Sequence, residues 1–185
     1  MKITAAMLAA FLLCMNASAG ELDLSFNSDA FRFMYGQEFE NNNLAWDAGL
    51  LNNSDKGYII NASLYLTGFA SDGDNPLEAG LGGRSGYVDG DDSDQSGIPL
   101  ALGGYLKYTL PNLNRVSIRG DAYYAPDILT AMDLEKYEDY TLRVSYNLLR
   151  EADIYVGVRY VKAEFDNDSS QLIDNGMHLG IDLRF

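Results

Sequence analysis

The sequence predicts an all-β chain that closes into a transmembrane, antiparallel, up-and-down β-barrel. Three observations carry that prediction. Apolar residues recur with period two from one end of the chain to the other, the apolar stripe carries no charge through its central part, and aromatic residues gather towards the ends of the stripe. No amphipathic helical window competes with the alternation.

The last segment is the clearest. Met177, Leu179, Ile181, Leu183 and Phe185 share one face, with His178, Gly180, Asp182 and Arg184 on the other. Before it, Ile154, Val156, Val158 and Tyr160 alternate with Tyr155, Gly157 and Arg159, and Tyr140, Leu142, Val144, Tyr146 and Leu148 alternate with Thr141, Arg143, Ser145 and Asn147. The pattern recurs at 114–124, 98–110, 77–87, 57–69 and 44–51, and more weakly at 31–39 and 21–27. Pro111 to Asn114 and Leu149 to Ala152 are short enough to close hairpins, whereas 89–97, 125–136 and 166–174 read as longer polar loops. Short and long connections alternate back from Phe185, as they do between the periplasmic turns and external loops of a barrel, although 70–76 is long for a periplasmic turn. The count is ten strands, or eight if 21–39 forms no hairpin.

Alternation alone does not say which face meets lipid, because a soluble barrel hides its apolar face inside. A charge on the lipid face at mid-bilayer costs roughly 2–4 kcal/mol, so a charge-free stripe is what a membrane barrel requires. Tyr58, Tyr87, Tyr108, Tyr124, Tyr140, Tyr160 and Phe185 stand where an interfacial girdle belongs. The opposite face mixes charges of both signs with Gly36, Gly49, Gly80, Gly82, Gly103, Gly157 and Gly180, which leave room in a narrow lumen.

Residues 1–19 read as a signal peptide. Lys2 gives the positive start, Ile3 to Met15 an apolar run too short to span a bilayer, and Ala17-Ser18-Ala19 a small-x-small cleavage site before Gly20. A lipoprotein anchored on Cys14 would need a small residue before the cysteine, and Leu13 stands there. Removing 19 of the 185 residues leaves 166 for one barrel domain, 20–185, without cysteine. Its net charge falls from −14 to −15 with the loss of Lys2, which argues against a nucleic-acid partner.

The chain ends His178-x-Gly180-x-x-Leu183-x-Phe185, the arrangement of the terminal assembly signal of outer-membrane proteins. As a whole it resembles the YfaZ family. The resemblance is carried by Glu21-Leu-Asp-Leu-Ser-Phe-Asn27, Leu100-Ala-Leu-Gly-Gly104, Gly120-Asp-Ala-Tyr-Tyr-Ala-Pro-Asp127, Tyr155-Val-Gly-Val-Arg-Tyr160 and His178-Leu-Gly-Ile-Asp-Leu-Arg-Phe185. It implies a small barrel in the bacterial outer membrane and brings no catalytic residue with it. The partners expected are outer-membrane lipid and lipopolysaccharide, and the barrel-assembly machinery during biogenesis.

Inward-facing charges are the main candidate site. Arg32, Arg84, Lys107, Arg119, Arg143, Arg159 and Arg184 are expected to pair in the lumen with Asp23, Glu38, Asp47, Glu78, Asp121 and Asp182. In this register the external half holds more arginines than strand acids, so either loop acids such as Asp89 to Asp94 fold inward to pair with them, the favoured expectation, or an anionic ligand does. His178, the one histidine, is placed near the external end of its strand, with no serine fixed beside it by motif and no second ligand for a metal. Asp92-x-Asp94-x-Ser96-Gly97 imitates the start of an EF-hand, but its twelfth position is Gly103, which leaves at most weak divalent binding. No catalytic, cofactor or metal residue is therefore expected. The resulting expectation is a non-enzymatic structural or surface barrel with a closed polar lumen. A narrow pore for small solutes and a lipid A-modifying enzyme are the alternatives.

Overall fold

The computed structural model describes residues 20–39, 42–71, 77–91, 95–166 and 169–185. The expected signal peptide, and much of the acidic run Asp89 to Asp94, lie outside them. Ten long strands form the wall: β1 Gly20–Phe26, β2 Ala30–Glu38, β3 Leu44–Asn53, β4 Gly57–Phe69, β5 Leu77–Gly90, β6 Gln95–Leu110, β7 Leu113–Ala125, β9 Leu134–Leu149, β10 Ala152–Phe165 and β11 Ser169–Arg184. Each pairs antiparallel with its neighbours in sequence, and β1 pairs with β11 to close the ring. Residues 21–39 thus form a genuine barrel hairpin, and the count is ten.

Closure reaches the ends of the described chain. The Gly20 amide donates to the Phe185 carbonyl at 2.7 Å, and the Phe185 amide returns the bond to Gly20 at 2.9 Å. Closing the ring leaves no free sheet edge along this seam, which a bilayer without water demands. The wall is uneven in height, because β1 and β2 have 7 and 9 residues while β6, β9 and β11 have 16 each.

The short strand β8, Thr130–Met132, continues the lane of β7. Leu102 of β6 faces Tyr124 of β7, and Pro99 of β6 faces Thr130 of β8. Pro126 to Leu129 make a detour between them, with a 3-10 turn over Asp127–Leu129. Proline supplies no amide to a ladder, which fits a break at this point.

Several loops are shorter than the alternation suggested. β11 starts at Ser169 rather than after 174, and β9 starts at Leu134. A bulge opposite Val161 and Lys162 explains the first difference, since it sends both Ile173 and Asp174 inward and breaks the period of two. The turn before β4 needs a glycine: Gly57 has φ +109°, and a Cβ there would lie 2.0 Å from the Asp89 carbonyl oxygen.

The facing is the one a membrane requires. Leu64, Leu81, Leu102, Leu142, Val144, Val156 and Leu179 are exposed on the outer wall. Tyr58 and Tyr87 pair at 6.1 Å, and Tyr140 and Tyr160 stack at 6.3 Å, near the external margin of this belt. Tyr35, Trp46 and Phe185 form the periplasmic counterpart. Among the described residues no helix is long and apolar enough to cross a membrane.

Candidate functional site

The lumen is built in three layers. The external layer is apolar: Leu51, Ile59, Val88, Tyr123, Tyr137, Val161, Phe165 and Ile173 turn inward and pack into a buried cluster. This corrects the expectation of a lumen polar throughout. The inward faces of these strands turn apolar at their external ends, so the barrel carries a small dry core beneath its outer rim, to which Leu129 of the β7–β8 detour adds.

Beneath that core lies a layer of ion pairs. Asp139 of β9 receives Arg84 at 2.7 Å and Arg32 at 3.6 Å, and Arg84 also approaches Asp47 at 3.9 Å. Arg84 lies face-on over the Tyr123 ring at 3.9 Å. Arg159 is bound by Asp174 at 2.9 Å and donates to the Ser25 hydroxyl. Asp139 and Asp174 were not foreseen. They balance the external arginines among the described residues, and of the loop acids Asp89 accepts a hydrogen bond from Tyr87 on the outer wall. A buried guanidinium without a counter-charge is heavily penalised, so the strands supply their own.

One step towards the periplasm, Arg143 binds Asp23 and reaches Asp182 at 3.5 Å, with its guanidinium over Tyr155 at 4.7 Å. Tyr155 donates to Asp23 at 2.6 Å. Arg119 pairs with Asp121 at 2.9 Å and covers Tyr105 at 4.1 Å. Lower still, Lys107 pairs with Glu78 at 3.2 Å and Arg184 with Asp153 at 2.9 Å. Glu38 lines the periplasmic mouth. The inward glycines seat rings here: a Cβ on Gly180 would come within 2.2 Å of Tyr155, and one on Gly80 within 2.3 Å of Tyr105.

His178 sits in mid-lumen rather than near the external end. It pairs across with Gly157, is 2 % exposed, and meets Tyr155 edge-on at 5.8 Å. No nucleophile bonded to it is among the described residues, and no three His, Cys, Asp or Glu side chains gather there at metal-binding spacing. Of the remaining end-signal residues, Gly180 seats Tyr155 and Leu183 lies on the outer wall. Phe185 stacks on Tyr35 at 6.4 Å. Replacing Phe185 by serine, which keeps its backbone bonds to Gly20, should lower the amount of barrel reaching the outer membrane several-fold. Refolded protein should lose only about 1 kcal/mol, the worth of one ring contact, by urea titration in lipid vesicles.

The free space follows the layers. A cavity of about 80 Å³ remains among the mid-lumen ion pairs, and one of about 740 Å³ opens at the periplasmic end. On the outer wall, above Tyr124, Tyr140 and Tyr160, Lys136 bridges Glu138 at 3.1 Å and Glu164 at 3.6 Å, and Lys162 bridges Glu164 at 2.7 Å. The hydrogen bond from Lys162 holds the Glu164 carboxyl below its ordinary range.

An apolar outer belt with aromatic margins, around a lumen of paired charges, defines a bacterial outer-membrane β-barrel. The chain belongs to the YfaZ family: the family model described as "YfaZ precursor" matches residues 1–185. Among solved structures it is similar to a KdgM porin, with 13 % identity and a TM-score of 0.45 over 90 % of this chain and 99 % of that one. A NanC porin is similar at 10 % identity and a TM-score of 0.45, over 91 % of this chain and 100 % of that one. The outer-membrane channel DcaP of Acinetobacter baumannii is similar at 18 % identity and a TM-score of 0.43, over 88 % of this chain and 54 % of that one. No curated protein matches the chain.

Proposed function

We propose that this barrel is a non-enzymatic, non-conducting structural and surface element of the outer membrane. The observation that carries the reading is the apolar core stacked directly on the Arg32, Arg84 and Asp139 ion cluster, with a cavity of about 80 Å³ among the mid-lumen ion pairs. An aqueous path through that stack would have to wet buried rings and separate ion pairs, and a wide aqueous channel belongs to barrels of about 16–18 strands. Against lipid A chemistry stands His178, which is buried in the lumen away from the lipid-facing wall. The collar of Lys136, Glu138, Lys162 and Glu164 above the tyrosine girdle supports contact with lipopolysaccharide headgroups, its lysines offering charge to phosphates. The assembly machinery is the other partner of this reading, through the strand that ends at Phe185.

Purified protein in planar bilayers should show no steady conductance of porin size. Replacing Arg143 and Arg159 together by methionine should lower the unfolding midpoint in lipid and still open no stable pore. A steady porin-like current in the unmodified protein would contradict this reading and favour the narrow pore.

A further inference from the structure

The mid-lumen cavity of about 80 Å³ is lined by donors that the ion-pair layers leave unanswered, chiefly Arg32 and His178. The fold brings the two together. Ser25 of β1 pairs with Arg32 on one side and Gly180 on the other, and His178 is the next inward residue of β11. Arg32 is 8 % exposed, makes no hydrogen bond among the described residues, and has no partner at Nε. Its one carboxylate, Asp139, lies 3.6 Å away and is already held by Arg84 at 2.7 Å. His178 is 2 % exposed and makes no hydrogen bond either. Its Nδ1 has no partner, and its ring packs between the edge of Tyr155 and Gly157. The Thr141 hydroxyl on the same cavity is also unpartnered. Buried donors without an acceptor are costly.

The strands do not supply that acceptor. Asp139 and Asp174 hold Arg84 and Arg159 from outside the cavity lining. Of the carboxylates that do line it, Asp23 is taken by Arg143 and Tyr155, and Asp121 by Arg119. Glu21 and Asp47 both pair with Gly36, which lies about 13 Å along β2 from Arg32, towards the periplasm.

We propose that this cavity binds one small monovalent anion, of the size of chloride, between Arg32 and His178. Arg32 gives it charge-assisted hydrogen bonds, and a neutral imidazole gives one N–H in either tautomer. A halide accepts several such donors at once and brings no proton that needs an acceptor of its own, whereas a water brings two. A water needs roughly 10–15 Å³ of such space, so a cavity of about 80 Å³ takes a halide together with water. The way in is from the periplasm. Gly36, Tyr65, Arg119 and Arg143 line both this cavity and the larger one below it, so the anion reaches Arg32 without crossing the apolar core. The inference goes beyond the sealed-lumen reading and does not depend on it.

Two measurements test it. Crystals of the barrel soaked in sodium bromide should show an anomalous peak within hydrogen-bonding reach of both Arg32 and His178. In lipid vesicles, urea midpoints are read at constant ionic strength while sodium gluconate, too large for the cavity, is replaced by sodium chloride. The wild-type midpoint should rise saturably with chloride, as it does for any ligand of the folded state alone. The R32M variant should bind chloride at least about tenfold more weakly, whereas E164Q on the outer wall should respond as the wild type does. If R32M does not fold, as judged by heat-modifiability, the bromide map of the wild type decides. No bromide in the cavity, or the same response to chloride in wild type and R32M, overturns the proposal and leaves the cavity to water. A barrel that conducts and still responds to chloride through Arg32 would refute the seal and leave the anion site standing.

Discussion

Arginine in place of Val144 should all but abolish folding into lipid vesicles, while arginine at the adjacent Ser145 should be tolerated. Val144 is 44 % exposed on the outer wall of β9, between the outward-facing Tyr140 and Tyr146, which sets it close to mid-bilayer. A guanidinium there costs roughly 2–4 kcal/mol. Ser145 points the other way and lines the cavity of about 740 Å³, where a new cation finds both space and carboxylates. Leu102 should behave as Val144 does. Its inward neighbour Gly103 makes a poor control, because any Cβ there would lie 1.9 Å from the Ala122 carbonyl oxygen. Folding yields into vesicles, read by heat-modifiability, check the pair. Equal yields at 144 and 145 would reverse the facing of β9.

The second large effect is expected at Asp139. Its side chain is 3 % exposed and serves two guanidiniums at once, Arg84 at 2.7 Å and Arg32 at 3.6 Å. Asp139→Asn keeps the shape and removes the charge, leaving Arg32 without a counter-ion and Arg84 with only the more distant Asp47. Removing one partner of a buried pair costs on the order of 3–5 kcal/mol. The urea midpoint in lipid should fall accordingly, and Asp139→Glu should recover part of it. A loss below about 1 kcal/mol would mean that water reaches this layer and screens it.

Asp139 also shows where the sequence was hard to read. Tyr137, Glu138 and Asp139 keep the alternate facing of β9, but Glu138 puts a charge on the outer face, where a charge-free stripe is the expectation. Above the tyrosine girdle the rule inverts, because headgroups and water accept Lys136, Glu138, Lys162 and Glu164. Asp174 was hidden differently, by a bulge that shifts the period by one. The apolar core did leave a signal: Leu50-Leu51, Ile59-Ile60, Tyr87-Val88 and Tyr160-Val161 are apolar pairs at the external ends of their strands, greasy on both faces. What was legible rests on the same physics. The facing of β9, β10 and β11, the outward tyrosines and the inward Arg84, Arg143 and Arg159 follow from a period of two set against hydrocarbon. Which acid meets which arginine depends on strand neighbours and bulges, and no single strand encodes that.

The uneven height of the wall has a consequence at the cell surface. On the side of β9, β10 and β11 the strands climb past the tyrosines, whereas the β1–β2 hairpin stops short and is fastened to its tall neighbour by side chains, Asn27 donating to Asp174 at 2.7 Å. Viewed from the medium, the wall slopes, tall over β9, β10 and β11 and low over the β1–β2 hairpin. An antibody or a phage tail would meet the tall flank first. A mask of long sugar chains would need its greatest depth on that side.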